Sequence, residues 1–164
     1  MAIKNDFQIG NSFDSQTFEA GHAKKVWRRI EEQLPGGYHV TNMSDFASDG
    51  LVRSGMAVVK DTTSGADVRD VKVLTWAQVK AALSGETPAG IDSLNIIGFT
   101  QEDVPVIQHG TGGSATYNYG TCNIVVKGEI YGYMMGANAA DAATISAAVA
   151  GMTQKNGMAI RVID

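Results

Sequence analysis

A mainly β domain, α+β in its minor helix content, is what this sequence predicts, and three observations carry that expectation. Glycine is abundant at 19 of 164 residues while proline is scarce at 3; glycine supplies the positive-φ positions that turns and bulges need. Beyond Pro35 the apolar residues alternate or run in short blocks between turn clusters, as they do in half-buried and buried strands. Hydrophobic residues make up 44% and charged residues 18%, enough apolar material for a core and too little charge for a disordered chain. The length fits one domain.

Residues 1–16 are polar and aperiodic, with isolated Phe7, Ile9 and Phe13, and read as an arm that orders only when it docks. From Thr17 the pattern changes. Phe18, Val26, Trp27, Ile30 and Leu34 recur mostly at steps of three and four, which predicts an amphipathic helix over 17–37, closed by the stop signal Leu34-Pro35-Gly36-Gly37. Lys24, Lys25, Arg28 and Arg29 fill its other side. That basic face is either a solvated surface over a core-packed stripe or a contact for an acidic partner or a membrane surface, and Glu31 and Glu32 dilute its charge.

The β-rich domain is expected over 38–164. Tyr38-His39-Val40 and Leu51–Lys60 read as strands, the second with Gly55 as a bulge or turn. Asp61–Gly65 is a turn cluster, and Val68, Val71, Val73 and Leu74 continue β structure. Thr75 then caps a short helix over Trp76–Leu83, with Gln78 completing a capping box. A buried strand follows at Leu94–Phe99. Between Asp103 and Lys127 there is no Asp, Glu, Lys or Arg; a neutral β stretch of that length belongs partly in the core and partly in a contact surface. Strands at Cys122–Val126 and Ile130–Met135, an Ala-rich helix from Asn138 to about Val149, and a closing strand at Met158–Ile163 complete the chain.

Several function classes are disfavoured at this level. A formal charge of −4 argues against a nucleic-acid binder that neutralises phosphates. No run reaches the 18 or so apolar residues that span a bilayer, and the first six residues lack the apolar stretch of a signal peptide. A single cysteine, Cys122, excludes an internal disulfide.

The reactive inventory is thin. His22, His39 and His109 are scattered without a second ligand at metal spacing, so no metal and no cofactor are expected. Cys122 with His109 as base would make a small hydrolase, but a cysteine within Thr121–Val125 reads first as a small buried hydrophobe. The Gly110–Gly113 loop lacks the Lys-Ser/Thr and the helix start of a phosphate loop, and Glu102 and Asp103, being adjacent on a strand, point to opposite faces. Tyr117 and Tyr119, and Tyr131 and Tyr133, form two i, i+2 pairs. They are either cross-strand aromatic pairs or an exposed platform for sugar rings or a protein interface.

Read in order, Leu51-Val52-Arg53-Ser54-Gly55-Met56-Ala57-Val58-Val59-Lys60, Ile96-Ile97-Gly98-Phe99-Thr100-Gln101-Glu102-Asp103-Val104 and Ile124-Val125-Val126-Lys127-Gly128-Glu129-Ile130-Tyr131 resemble segments of the head-decoration (capsid cement) proteins of tailed bacteriophages. The Ala-rich helix followed by Gly157-Met158-Ala159-Ile160-Arg161-Val162 is similar to the family's closing pattern. The resemblance covers about residues 50–163, and its motifs are glycine-and-valine patterns rather than reactive groups. The N-terminal 45 residues exceed what compact members carry.

What the resemblance implies is a small barrel-like, tulip-shaped β domain that binds the outer surface of the mature head as a homotrimer. It would clamp neighbouring major capsid subunits and would be made in the host cytoplasm. On that view Phe7, Ile9 and Phe13 are the arm's capsid anchors, Tyr117, Tyr119, Tyr131 and Tyr133 are candidates for the trimer contact, and neither nucleic acid nor membrane is a partner. The alternative is a head-fibre base or another virion surface protein that binds host glycans.

Overall fold

The computed structural model describes residues 26–75, 77–78, 96–110, 115–118, 120–131 and 158–163. The expected arm, the helical residues before Val26, most of the helix after Thr75 and the Ala-rich helix lie outside these residues. Within them the protein is mainly β, with its principal sheet curled into a half-barrel.

The strands are β1 (Trp27–Gln33), β2 (Tyr38–Val40), β3 (Leu51–Val52), β4 (Ala57–Lys60), β5 (Asp70–Val73), β6 (Ile96–Thr100), β7 (Val104–Pro105), β8 (Gln108–His109), β9 (Thr116–Tyr117), β10 (Gly120–Cys122), β11 (Ile124–Tyr131) and β12 (Ala159–Ile163). A 3-10 helix, Met43–Phe46, sits between β2 and β3 and buries Met43 and Phe46. The main sheet runs β1-β11-β6-β4-β5-β2-β10, with β12 also paired to β11. Two small sheets, β3-β7 and β8-β9, stand beside it.

One expectation is overturned here. The segment assigned to an amphipathic helix over 17–37 is a strand from Trp27 to Gln33, paired antiparallel with β11. The cause lies in its register, which shifts between Trp27 and Arg29, between Ile30 and Glu32, and between Glu32 and Gln33. The first two shifts each place an extra residue on β1 and the third places one on β11, so inward positions that an ideal strand repeats every second residue come at a step of three from Trp27 to Ile30. Trp27 and Ile30 thus reach the same core cluster, and the spacing imitates a helix. Leu34-Pro35-Gly36-Gly37 does end the element, as a turn in which Gly36 has φ +86°.

A second expectation is also overturned: the strands expected at Cys122–Val126 and Ile130–Met135 are not parted by a turn, since β11 runs unbroken from Ile124 to Tyr131 and Gly128 lies against the Arg29 carbonyl of paired β1. The remaining elements follow the sequence more closely. The expected strand Leu51–Lys60 is two strands, β3 and β4, with Gly55 at φ +81° in the turn between them. The capping box is present: Gln78 Oε1 accepts from the Thr75 N–H at 2.8 Å and Thr75 Oγ1 accepts from the Gln78 N–H at 3.3 Å. Ala77 and Gln78 are helical.

The sheet buries apolar side chains on both faces. Ala57, Val59, Phe99, Val125 and Ile130 belong to one cluster with Trp27 and Ile160. Val58, Val71, Val73, Cys122 and Ile124 belong to the other, with Met43, Phe46 and Val104. The neighbours Val58 and Val59, and Ile124 and Val125, fall on opposite sides, as a pleated strand requires. A register shift between Val58 and Val59 where β4 meets β6 lets Ile96 and Phe99, three apart, share a face. Gly98 sits where β6 meets β11, and a Cβ there would lie 2.7 Å from the Val125 carbonyl oxygen.

Candidate functional site

The groups that chemistry would recruit are held by the fold. Cys122 lies buried in β10, and burial first, then the negative charge of Glu102, pushes its thiol up to about 12. A thiol of that kind carries almost no thiolate at neutral pH. His109, the base considered for it, is exposed in β8 of a different sheet. Glu102 and Asp103 lie in the connection between β6 and β7 rather than on a strand, and they turn to different partners. Glu102 Oε1 accepts the Asn123 N–H at 2.9 Å, and Asp103 Oδ1 accepts the Ser54 N–H at 2.6 Å. The two carboxylates therefore pin different loops. His39 stands exposed beside Asp70, with Nδ1 3.6 Å from Oδ1. Among the described residues no group of three His, Cys, Asp or Glu side chains could hold a metal ion.

Two buried polar nodes organise the scaffold. Thr100 Oγ1 donates to the Arg53 carbonyl at 2.7 Å and accepts the Met56 N–H at 2.9 Å, while its carbonyl accepts from Trp27 Nε1 at 3.0 Å. The second node is Asp61, which takes the Thr41 hydroxyl at 2.6 Å, the Thr63 N–H at 2.9 Å and Lys72 Nζ at 3.0 Å. Burial alone would raise the Asp61 carboxyl. The bonds from Thr41, Thr63 and Lys72 outweigh it and hold the group well below the usual carboxylate range. Asn42, also buried, both donates to and accepts from the backbone of Val73 at 2.9 Å, serving β5 as a strand neighbour would.

Of the sequence-derived contact residues, Tyr117 and Tyr131 fall among the described residues. Tyr117 ends β9 in a small sheet and packs against the second cluster, whereas Tyr131 ends β11 in the main sheet. Phe7, Ile9, Phe13, Tyr119 and Tyr133 lie outside the described residues. Among the described residues of the neutral stretch, Pro105, Ile107, Gln108, His109 and Thr116 are exposed, while Val106 between them is buried. Asn118 ties down Pro105 and Ile107. Its N–H donates to the Ile107 carbonyl at 3.0 Å, its Oδ1 accepts the Ile107 N–H at 2.8 Å, and its Nδ2 donates to the Pro105 carbonyl at 3.2 Å.

A feature missed from the sequence is an ion-pair ladder across β1, β11 and β12. Glu129 contacts Arg28 at 3.7 Å and Arg161 at 3.8 Å; Glu31 contacts Arg29 at 3.5 Å and Lys127 at 3.1 Å. The alternation of Lys127 and Glu129, and of Ala159 and Arg161 around buried Ile160, was the available signal, but only strand pairing brings these residues together. Comparison with protein-family models, curated proteins and solved structures found no match.

Proposed function

We propose that this chain is a bacteriophage head-decoration protein that binds the outer surface of the mature capsid as a homotrimer and stabilises contacts between major capsid subunits. The observation that carries this reading is the uncharged surface of Pro105, Ile107, Gln108, His109 and Thr116, with Pro105 and Ile107 tied to Asn118 by three hydrogen bonds. Ile107 is 40% exposed on this surface, and its lack of charge matches the depletion of charged residues at the centres of protein interfaces. The buried polar groups described above are committed to backbone and loop contacts, which suits a binding scaffold. In this reading Phe7, Ile9 and Phe13 anchor the arm, and Tyr117, Tyr119, Tyr131 and Tyr133 are candidates for the trimer contact. Three arms on one trimer would raise avidity about 10²–10⁴-fold over one arm.

The test is co-sedimentation of the purified protein with expanded capsids of its phage, with unexpanded shells as control. Saturable binding to the expanded form alone, near three copies per three-fold site, is expected. Deletion of residues 2–16 should abolish it while leaving the circular dichroism spectrum of the domain unchanged. Absence of binding to either shell overturns the proposal and directs the search to host glycans.

A further inference from the structure

The ladder on β1, β11 and β12 has its charges arranged by height. Arg28 and Arg161 are 57% and 79% exposed, against 22% for the Glu129 they share. Arg29 and Lys127 are 68% and 49% exposed, against 29% for Glu31. Among the described residues, four cations thus stand above two carboxylates, an excess of two positive charges; counting exposed Glu32, which makes no ion pair with any of them, leaves one. The excess sits on a chain whose formal charge is −4. The three guanidinium contacts, at 3.5–3.8 Å, are longer than hydrogen bonds. Their planar donor forks therefore remain available to carboxylates from outside.

We infer that this face is a contact surface for an acidic protein patch. Its natural identity as the outer face of the capsid rests on the decoration reading, but the surface itself does not. The recessed carboxylates favour a protein over a nucleic acid. Cations interleaved with carboxylates at the strand spacing of about 4.8 Å match side-chain carboxylates set apart on a protein, whereas a continuous phosphate track would also meet Glu31 and Glu129. The register keeps the pattern fixed, with Glu129 opposite Arg29 on one side and Arg161 on the other.

The test uses the full chain with poly-L-glutamate as the probe, at ionic strengths from 20 to 500 mM. Wild type is expected to bind at low salt and lose binding steeply as salt rises. The double variant Arg28→Gln/Arg161→Gln should bind about tenfold more weakly. Arg53→Gln/Lys60→Gln, which removes two exposed cations outside the ladder, should bind as wild type does. Arg29→Gln/Lys127→Gln provides a second ladder variant should the first lose stability in urea.

Three results would each overturn the inference: no binding by wild type, ladder variants that bind as wild type, or tighter binding to a 20-base-pair duplex than to poly-L-glutamate at equal salt. The same variants are then sedimented with expanded capsids. Failure of wild type to sediment there defeats the decoration reading alone and leaves the poly-L-glutamate result standing.

Discussion

Replacing Asp61 with Asn should cost about 2–3 kcal/mol at pH 7, the worth of one hydrogen bond to a charged group in a buried setting. The carboxylate ties Thr41, which follows β2, to Thr63 in the β4–β5 turn and to Lys72 on β5. An amide can keep the acceptor on one side. The Thr41 hydroxyl can also adapt, because the Val71 carbonyl is already within 3.2 Å of it. What is lost is the charge opposite Lys72, which retains only the Thr63 hydroxyl at 2.8 Å.

With a urea slope of about 1–3 kcal/mol/M, the unfolding midpoint followed by tryptophan fluorescence should fall by about 1 M. The pH dependence has a definite sign. The folded carboxyl titrates below its ordinary value of 3.8, so its contribution is complete above that pH. It drains away on acidification, as the unfolded chain takes up the proton and the folded chain does not. The gap between wild type and Asp61→Asn should therefore hold from pH 7 to about 5 and narrow below about pH 4. Equal midpoints at pH 7, or a gap unchanged between pH 7 and 3, would refute the reasoning.

Three further outcomes are expected. Gly98→Ala should lose about 1–3 kcal/mol in urea denaturation, because its Cβ would press on Ile124 and the Val125 carbonyl and force β6 from β11; an unchanged midpoint would show that the two strands separate freely. Thr100→Val should lose about 2 kcal/mol by the same measurement, since the Met56 N–H and Arg53 carbonyl lose their buried partner. Cys122 should react with iodoacetamide at pH 8 only as fast as the protein opens, given a thiol pushed up to about 12; mass spectrometry showing modification at the rate of a free thiol would contradict its burial.

Much of the architecture is legible in local sequence. The strands at Tyr38–Val40, Ala57–Lys60 and Ile96–Thr100 follow from runs of apolar residues between turn signals. The turn at Gly55 and the Thr75–Gln78 box follow from residue types whose backbone or side-chain chemistry acts over one to three positions. These features need no distant partner, so the chain announces them.

What tertiary structure decided depends on residues far apart in the chain. Trp27–Gln33 became a strand because pairing with β11 admits bulges, and a bulged strand reproduces the three-residue spacing of a helix. The roles of Glu102, Asp103 and Asp61 emerged only when loops from other strands delivered the N–H and ammonium groups they hold. The proposed contact ladder needed the antiparallel β1 and the parallel β12 on opposite sides of β11. By itself the sequence determined the strands at Tyr38–Val40, Ala57–Lys60 and Ile96–Thr100 and which residues are apolar, neutral or charged. Which charges meet, and how far each stands from solvent, was set by pairing between segments up to about a hundred residues apart, since electrostatic contact is a property of distance in space.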